Sequence, residues 1–231
     1  MSKKNKLQKF ADLLTFPNVY ENFEPGTPDL VHSEDEDVQM AGLWNQKHFK
    51  NNNKITLELA CGGGEYTVAL ARMFPDRNFI GVDIKGARIW KGARVAVNEN
   101  LSNAAFLRTR IEYIKLYFEK GEVDEIWITF PDPFLRDSKV NRRLTSPYFL
   151  GQYRNILKEN GLIHLKTDSP ELYDFTVNES IPEVDFVELL VHDSDIYAKE
   201  RIMPELEIKT FYEQKHLENG LTIKYVRFVM K

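Results

Sequence analysis

The sequence predicts an α/β fold built on a mostly parallel sheet of about seven strands, with helices on both faces. Three observations predict it. Short β-rich runs at 55–60, 79–83, 125–130 and 162–166 alternate with segments of roughly ten residues at helical spacing, which is the pattern of βαβ units. The first run leads into a glycine turn, Cys61-Gly62-Gly63-Gly64, and the second ends on Asp83, so ligand-binding chemistry sits at carboxyl ends of strands. Finally, 231 residues with 42% hydrophobic and 12% aromatic side chains are enough to fill one large core.

Residues 1–53 are the least regular part, and they are expected to form an N-terminal arm and connection, partly flexible, ahead of one domain over 54–231. Leu7, Phe10, Leu13 and Leu14 recur at helical spacing, and Pro17, Pro25, Gly26 and Pro28 then punctuate an acidic stretch. In the domain, 55–60 is the first strand and 65–73 a helix with apolar Val68, Leu70 and Ala71. Strands follow at 79–83, 104–107, 125–130 and 162–166, with helices at 87–97, 111–118 and 148–157. The runs at 185–191 and 221–230 are read as an antiparallel C-terminal hairpin that completes the sheet. No internal repeat interrupts this order.

Thirty-five acids against 31 bases leave a net charge of −4, which speaks against a generic nucleic-acid binder. The distribution is far from even. Residues 1–10 hold four lysines and no acid, and 11–40 hold eight acids and no base. Residues 84–118 carry seven bases against two acids, 133–158 six against one, and 159–195 ten acids against a single lysine. Each block fits a solvated face or a binding surface. The single cysteine, Cys61, excludes an internal disulfide, and the five histidines show no metal-ligand spacing with it, so no metal is expected. No apolar run reaches membrane-span length, and a cytoplasmic protein, monomer or homodimer, is expected.

The glycine turn lacks the third glycine of a dinucleotide fingerprint, since Thr67 stands in its place, which disfavours an NAD-dependent oxidoreductase. Glu65 just beyond it is a poor neighbour for a pyrophosphate. A phosphate-free nucleoside cofactor suits the loop better. Asp83, 19 residues after Gly64, stands where a carboxylate accepts from ribose hydroxyls, and it also fits a helix N-cap. Glu58, in an otherwise apolar strand, is best used facing a cation, and S-adenosylmethionine supplies an ammonium and a sulfonium. Cys61 is read as a small residue and not a nucleophile.

Phe130-Pro131-Asp132-Pro133-Phe134 follows the 125–130 strand, and the two prolines hold Asp132 on a stiff turn that cannot be helical. Arg136, Lys139, Arg142 and Arg143 come within eight residues, a cluster suited to phosphate contacts. Lys85, Arg88, Lys91 and Arg94 recur in three-residue steps, and this stripe is equally a solvated face or a further contact surface.

Together with Leu57-Glu58-Leu59-Ala60-Cys61-Gly62-Gly63-Gly64, Asn141-Arg142-Arg143-Leu144, Gly161-Leu162-Ile163-His164-Leu165-Lys166-Thr167-Asp168 and Thr210-Phe211-Tyr212-Glu213, the motif resembles the bacterial tRNA (guanine-N7)-methyltransferases, the TrmB family. Order and spacing match over about 54–215. The resemblance implies a Rossmann-like class I methyltransferase that uses S-adenosylmethionine on a guanosine in the tRNA variable loop. It implies Glu58, Gly62, Gly64, Asp83 and Arg110 as cofactor contacts, with Arg110 departing from the usual Asp. Asp132 is implied as the active-site aspartate, also touching cofactor. Arg136, Asp168, Thr210, Phe211, Tyr212 and Glu213 are implied as substrate contacts, with Phe134 replacing a Trp and Arg136 a Lys. Lys139, Arg142 and Arg143 are candidates for the tRNA backbone. Guanine N7 carries no proton, so the chemistry requires no general base. The alternatives are another class I methyltransferase and a non-catalytic tRNA-binding protein of the same fold.

Overall fold

Alternation along the first parallel strand of the domain decides the layering. Ile55, Leu57 and Leu59 face one core, and Thr56 and Glu58 point to the opposite face, because successive side chains on a strand alternate. The computed structural model describes residues 5–33 and 35–231, with Glu36 described by its backbone alone. Its strands in chain order are β1 (Val19–Glu21), β2 (Leu30–His32), β3 (Asp35–Val38), β4 (Ile55–Leu59), β5 (Asn78–Asp83), β6 (Ala104–Arg108), β7 (Val123–Thr129), β8 (Leu157–Thr167), β9 (Val187–Asp193) and β10 (Lys224–Met230). The helices are α1 (Lys6–Leu13), α2 (Glu65–Met73), α3 (Gly86–Asn98), α4 (Pro147–Tyr153), α5 (Pro170–Phe175), α6 (Ile181–Glu183), α7 (Pro204–Glu207) and α8 (Phe211–Glu218).

One ten-stranded sheet has the order β3-β2-β1-β6-β5-β4-β7-β8-β10-β9. Neighbours from β1 to β8 run parallel, and antiparallel pairs close both ends. Every residue of β4 and β5 is buried, as strands covered on both faces require. One core packs Leu57, Ile128 and Leu165 against Trp44, Phe149 and Tyr153. The other packs Val68, Leu70, Ile89 and Ala93 of α2 and α3, with Leu13 of α1, against Phe106 and Trp127.

All seven strands expected over 54–231 are present, and three more come from the segment before them. β1 pairs with β6 through Val19↔Phe106 and Tyr20↔Leu107, which covers what would be an open edge. Fully buried Trp44 donates from Nε1 to Tyr117 O at 2.8 Å. The described part of the expected connection is therefore packed structure. Three-residue strands are too short to show a period. Of the four N-terminal lysines expected as an arm, Lys3 and Lys4 lie outside the described residues, and Lys9 sits 5.0 Å over the Trp90 ring.

Two expected helices change. Residues 111–118 form 3-10 turns at Ile111–Leu116, and the helix expected to reach 157 ends at Tyr153. Leu157 is taken by the sheet, where it pairs with Val123. The C-terminal hairpin expected from adjacent strands has β10 inserted between β8 and β9, and the connection between β9 and β10 carries α7 and α8. No helix among the described residues is long and apolar enough to cross a membrane.

Candidate active site

The carboxyl ends of β4 to β8 lie along one edge of the sheet, so their turns bring distant motifs together. Ala60, Gly62 and Gly64 all take positive φ, at 59°, 55° and 67°, in the turn after β4. The glycines differ in use. A Cβ on Gly62 would meet nothing within 4 Å, leaving the backbone open to the cleft, whereas on Gly64 it would lie 2.5 Å from the Phe106 ring. Gly64, expected as a cofactor contact, therefore serves the close packing of the turn against β6 and α3.

Glu58 is buried at 3% exposure and accepts from Thr67 N at 2.8 Å, from the Thr67 hydroxyl, and from Thr129 Oγ1 at 2.7 Å. Burial outweighs these three bonds and pushes its pKa up to about 7. None of its hydrogen-bond partners is a cation. Asp83 Oδ2 accepts from Gly62 N at 2.9 Å and Oδ1 from Lys85 N at 2.8 Å, which ties the glycine turn to the end of β5. The N-cap of α3 is Lys85, so Asp83 braces the turn from two residue positions further out than the cap it was compared with. Cys61 is buried, and burial first, then the Glu58 and Asp83 carboxylates, push its thiol well above the ordinary value. That is an inert cysteine.

Two adjoining cavities occupy this edge. The first, about 470 Å³, is lined by Glu58, Gly62, Thr210, Phe211 and Tyr212 among others. The second, about 390 Å³, is lined by Asp83, Arg110, Asp132, Phe134 and Arg142 among others. Ala60, Arg88 and Phe130 line both. Thr210 Oγ1 caps α8 by accepting from Glu213 N, and it starts a helix whose first residues, Phe211 and Tyr212, are 64% and 56% exposed at the rim. Phe211 N donates to Glu65 Oε2 at 2.9 Å, and Glu65 also pairs with Lys91. Burial opposes ionisation of Glu65, but Lys91 and the Phe211 N–H outweigh it and lower its pKa.

Asp132 is exposed on the turn after β7, where Phe130 and Phe134 take φ of 49° and 43°. Non-glycine residues seldom adopt such values, and strain of this kind collects at functional sites. Phe134 N donates to Asp132 Oδ1 at 3.3 Å. Arg136 is exposed and starts the 3-10 turn Asp137–Arg142, Lys139 is half-buried, and Arg142 is exposed at the second cavity.

Two expected ligand contacts belong to the scaffold. Glu213 is fully buried and pairs with Lys166 at 2.7 Å while accepting from Tyr197 Oη at 2.6 Å, so no substrate reaches it. Arg143 is 7% exposed, donates to Pro133 O and Phe134 O, and lies 4.4 Å over the Phe175 ring, bracing the Asp132 loop from below. Asp168 is half-buried beyond β8, with His216 Nδ1 3.4 Å from its Oδ2. Of the Lys85-to-Arg94 stripe, Arg88 and Lys91 turn to the first cavity, and Arg94 stacks 4.9 Å over Trp90.

Sequence reasoning missed Thr67, Thr129, Glu65 and His216. Thr67 carried a signal, a hydroxyl on a buried helix position between Tyr66 and Val68. Glu65 bonding a residue 146 positions away carried none.

A family model described as "Putative methyltransferase" matches residues 52–226. The fold is that of a Rossmann-like class I methyltransferase. A solved 30S ribosomal A1408 methyltransferase from an uncultured bacterium superimposes with a TM-score of 0.60 over 86% of this chain and 97% of its own, at 18% identity, which speaks to the fold. The chain is 47% identical over 230 residues to a tRNA (guanine-N(7)-)-methyltransferase of Bacteroides fragilis, covering 98% of this chain and 86% of that one. It is 46% identical over 232 residues to the protein of the same name from Christiangramia forsetii, with all of both chains covered. The chain belongs to the tRNA (guanine-N7)-methyltransferase family.

Proposed function

We propose that the protein transfers a methyl group from S-adenosylmethionine to N7 of a guanosine in the variable loop of tRNA. The observation that carries this reading is the pair of cavities meeting at Phe130, one built on the glycine turn and the other on Asp132. The cofactor fits the first. Gly62 leaves open space, and buried Glu58 has a carboxylate whose partners are a backbone N–H and two hydroxyls, which leaves its charge for a cation. When bound, S-adenosylmethionine supplies an electrophilic methyl group on a sulfonium that leaves as a neutral thioether.

The chain's own residues place and steady the base. Guanine N7 is a lone-pair acceptor, so no residue has to remove a proton, in keeping with a cleft that holds an inert cysteine and two carboxylates at the strand ends. Asp132 accepts from the N–H edge of the base and stabilises the positive charge that develops on the purine. Phe211 and Tyr212 offer exposed aromatic faces at the rim, and Arg136 and Arg142 offer charge for phosphates.

The deciding experiment is methylation of unmodified tRNA, with the nucleoside product identified. 7-Methylguanosine supports the reading; cofactor binding without transfer points to a silent tRNA-binding protein, and methylation of another base or a small molecule to a different methyltransferase.

Two further outcomes follow from named side chains. Glu58 is half-protonated near pH 7, so cofactor affinity is expected to rise as pH passes upward through about 7 and the carboxylate ionises. A Glu58→Gln variant, titrated with cofactor from pH 6 to 8, should lose that dependence. Arg142→Glu is expected to weaken tRNA binding and lower the slope of log affinity against log salt by about one, the value for one lost phosphate contact. Arg143→Glu is expected to disturb the Asp132 loop, because its guanidinium is bonded inside the protein.

A further inference from the structure

Strand β8 and helix α8 meet at two levels. Lys166 lies near the end of β8 and Asp168 just beyond it, while Glu213 and His216 are three apart on α8 and share one face of the helix. The inner level is the fully buried Lys166–Glu213 ion pair. The outer level is His216 Nδ1, 3.4 Å from Asp168 Oδ2, with side chains 30% and 28% exposed. The His216 ring stacks on Phe130, centroids 6.1 Å apart and planes 10° from parallel, and Phe130 lines both cavities.

We propose that His216 is a positioning residue for the guanosine site. This rests on the reading of the cleft as a tRNA methyltransferase site. Its Nδ1 stands 3.4 Å from Asp168 Oδ2, close enough to draw that oxygen toward α8 and leave Oδ1, which has no hydrogen bond among the described residues, to accept from substrate, and its ring backs Phe130 at the junction of the cavities. A half-buried carboxylate without a neighbour to fix it would rotate, and each base encounter would bear the ordering cost. Removing the imidazole should therefore weaken tRNA capture more than it slows the reacting complex.

The test is steady-state methylation of unmodified tRNA by wild type, His216→Ala, His216→Gln and His216→Phe, with a cofactor titration and a thermal melt of each. His216→Ala should raise the tRNA KM by about tenfold, with kcat and cofactor affinity changed less than about threefold. The Gln variant, which keeps a donor, should recover most of the loss, and Phe, which keeps only the stack, should not. In an Asp168→Ala background, His216→Ala should add little, because the two act as one unit. A wild-type KM in His216→Ala, or losses at 168 and 216 that simply add, would overturn the proposal. If His216→Ala proves too unstable to assay, the Gln and Phe variants decide it in the same way. Failure of the wild type itself to methylate tRNA would instead overturn the reading of the cleft.

Discussion

Replacing Asp132 by Asn is expected to lower turnover by about 10²- to 10³-fold, the range seen when one group aimed at developing charge is removed. The reason lies in how the carboxylate is held and in what the base presents. Pro131 and Pro133 deny the turn a helical conformation, Phe134 N holds Oδ1, and the Arg143 guanidinium bonds the carbonyls of Pro133 and Phe134 from below. The carboxylate is thus presented to the second cavity on a braced loop. An ionised Asp is an acceptor only, matched to the N–H groups of guanine, and an Asn would turn an NH₂ toward them. It would also remove the negative charge that favours a purine becoming cationic. Cofactor affinity should change only a few-fold, since Glu58 and Gly62 line the neighbouring cavity. Single-turnover methylation beside a cofactor titration reads both quantities. Near-normal turnover in both Asn and Ala variants would remove Asp132 from the chemistry.

Glu213→Ala should unfold the protein at a much lower temperature while saying little about substrate. Lys166 and Glu213 have no exposed side-chain surface, and burial already lowers the Lys166 pKa despite the favourable charge opposite. Removing the carboxylate leaves an uncompensated buried ammonium, a loss of about 3–5 kcal/mol. For a chain of this length that corresponds to a fall in Tm of roughly 6–20 °C. Glu213→Gln should cost less, since an acceptor remains beside Leu206 O and Ile208 O, which also take hydrogen bonds from Lys166 Nζ at 2.9 Å. Replacing the pair together, Lys166→Met with Glu213→Leu, should recover much of the loss because no lone charge is then buried. A Glu213→Ala protein with unchanged Tm and a raised tRNA KM would restore Glu213 to the substrate surface.

Much of this arrangement was legible in the amino-acid order. β4, β5 and β7 appear as short apolar runs because strands covered on both faces have no polar face to show. Gly62, Asp83 and Asp132 were legible because each stands at or just beyond the end of a strand of a parallel sheet, and the ends of such strands share one edge. The surface position expected of the bases in 133–158 holds only in part. Arg142 reaches the cleft surface, and Arg143, one residue later, is buried under the loop. Adjacent residues of like charge carry no local mark of which one the backbone turns inward. The N-terminal strands escaped notice because β1 has three residues, too few for any period.

The amino-acid order by itself determined the βαβ succession, the position of the glycine turn and the aspartate turns, and the family, because these depend on local period and on short motifs whose spacing is covalent. Only the tertiary structure decided that Gly64 serves packing, that Glu213 and Arg143 support the site from beneath, that Glu65 lines the first cavity and that His216 stacks on Phe130. Those assignments depend on which faces of β8, α8 and the Asp132 loop meet. Partners such as Lys166 and Glu213, 47 residues apart, or Glu65 and Phe211, 146 apart, are chosen by packing and by the cost of burying an unpaired charge, neither of which leaves a trace in the neighbouring sequence.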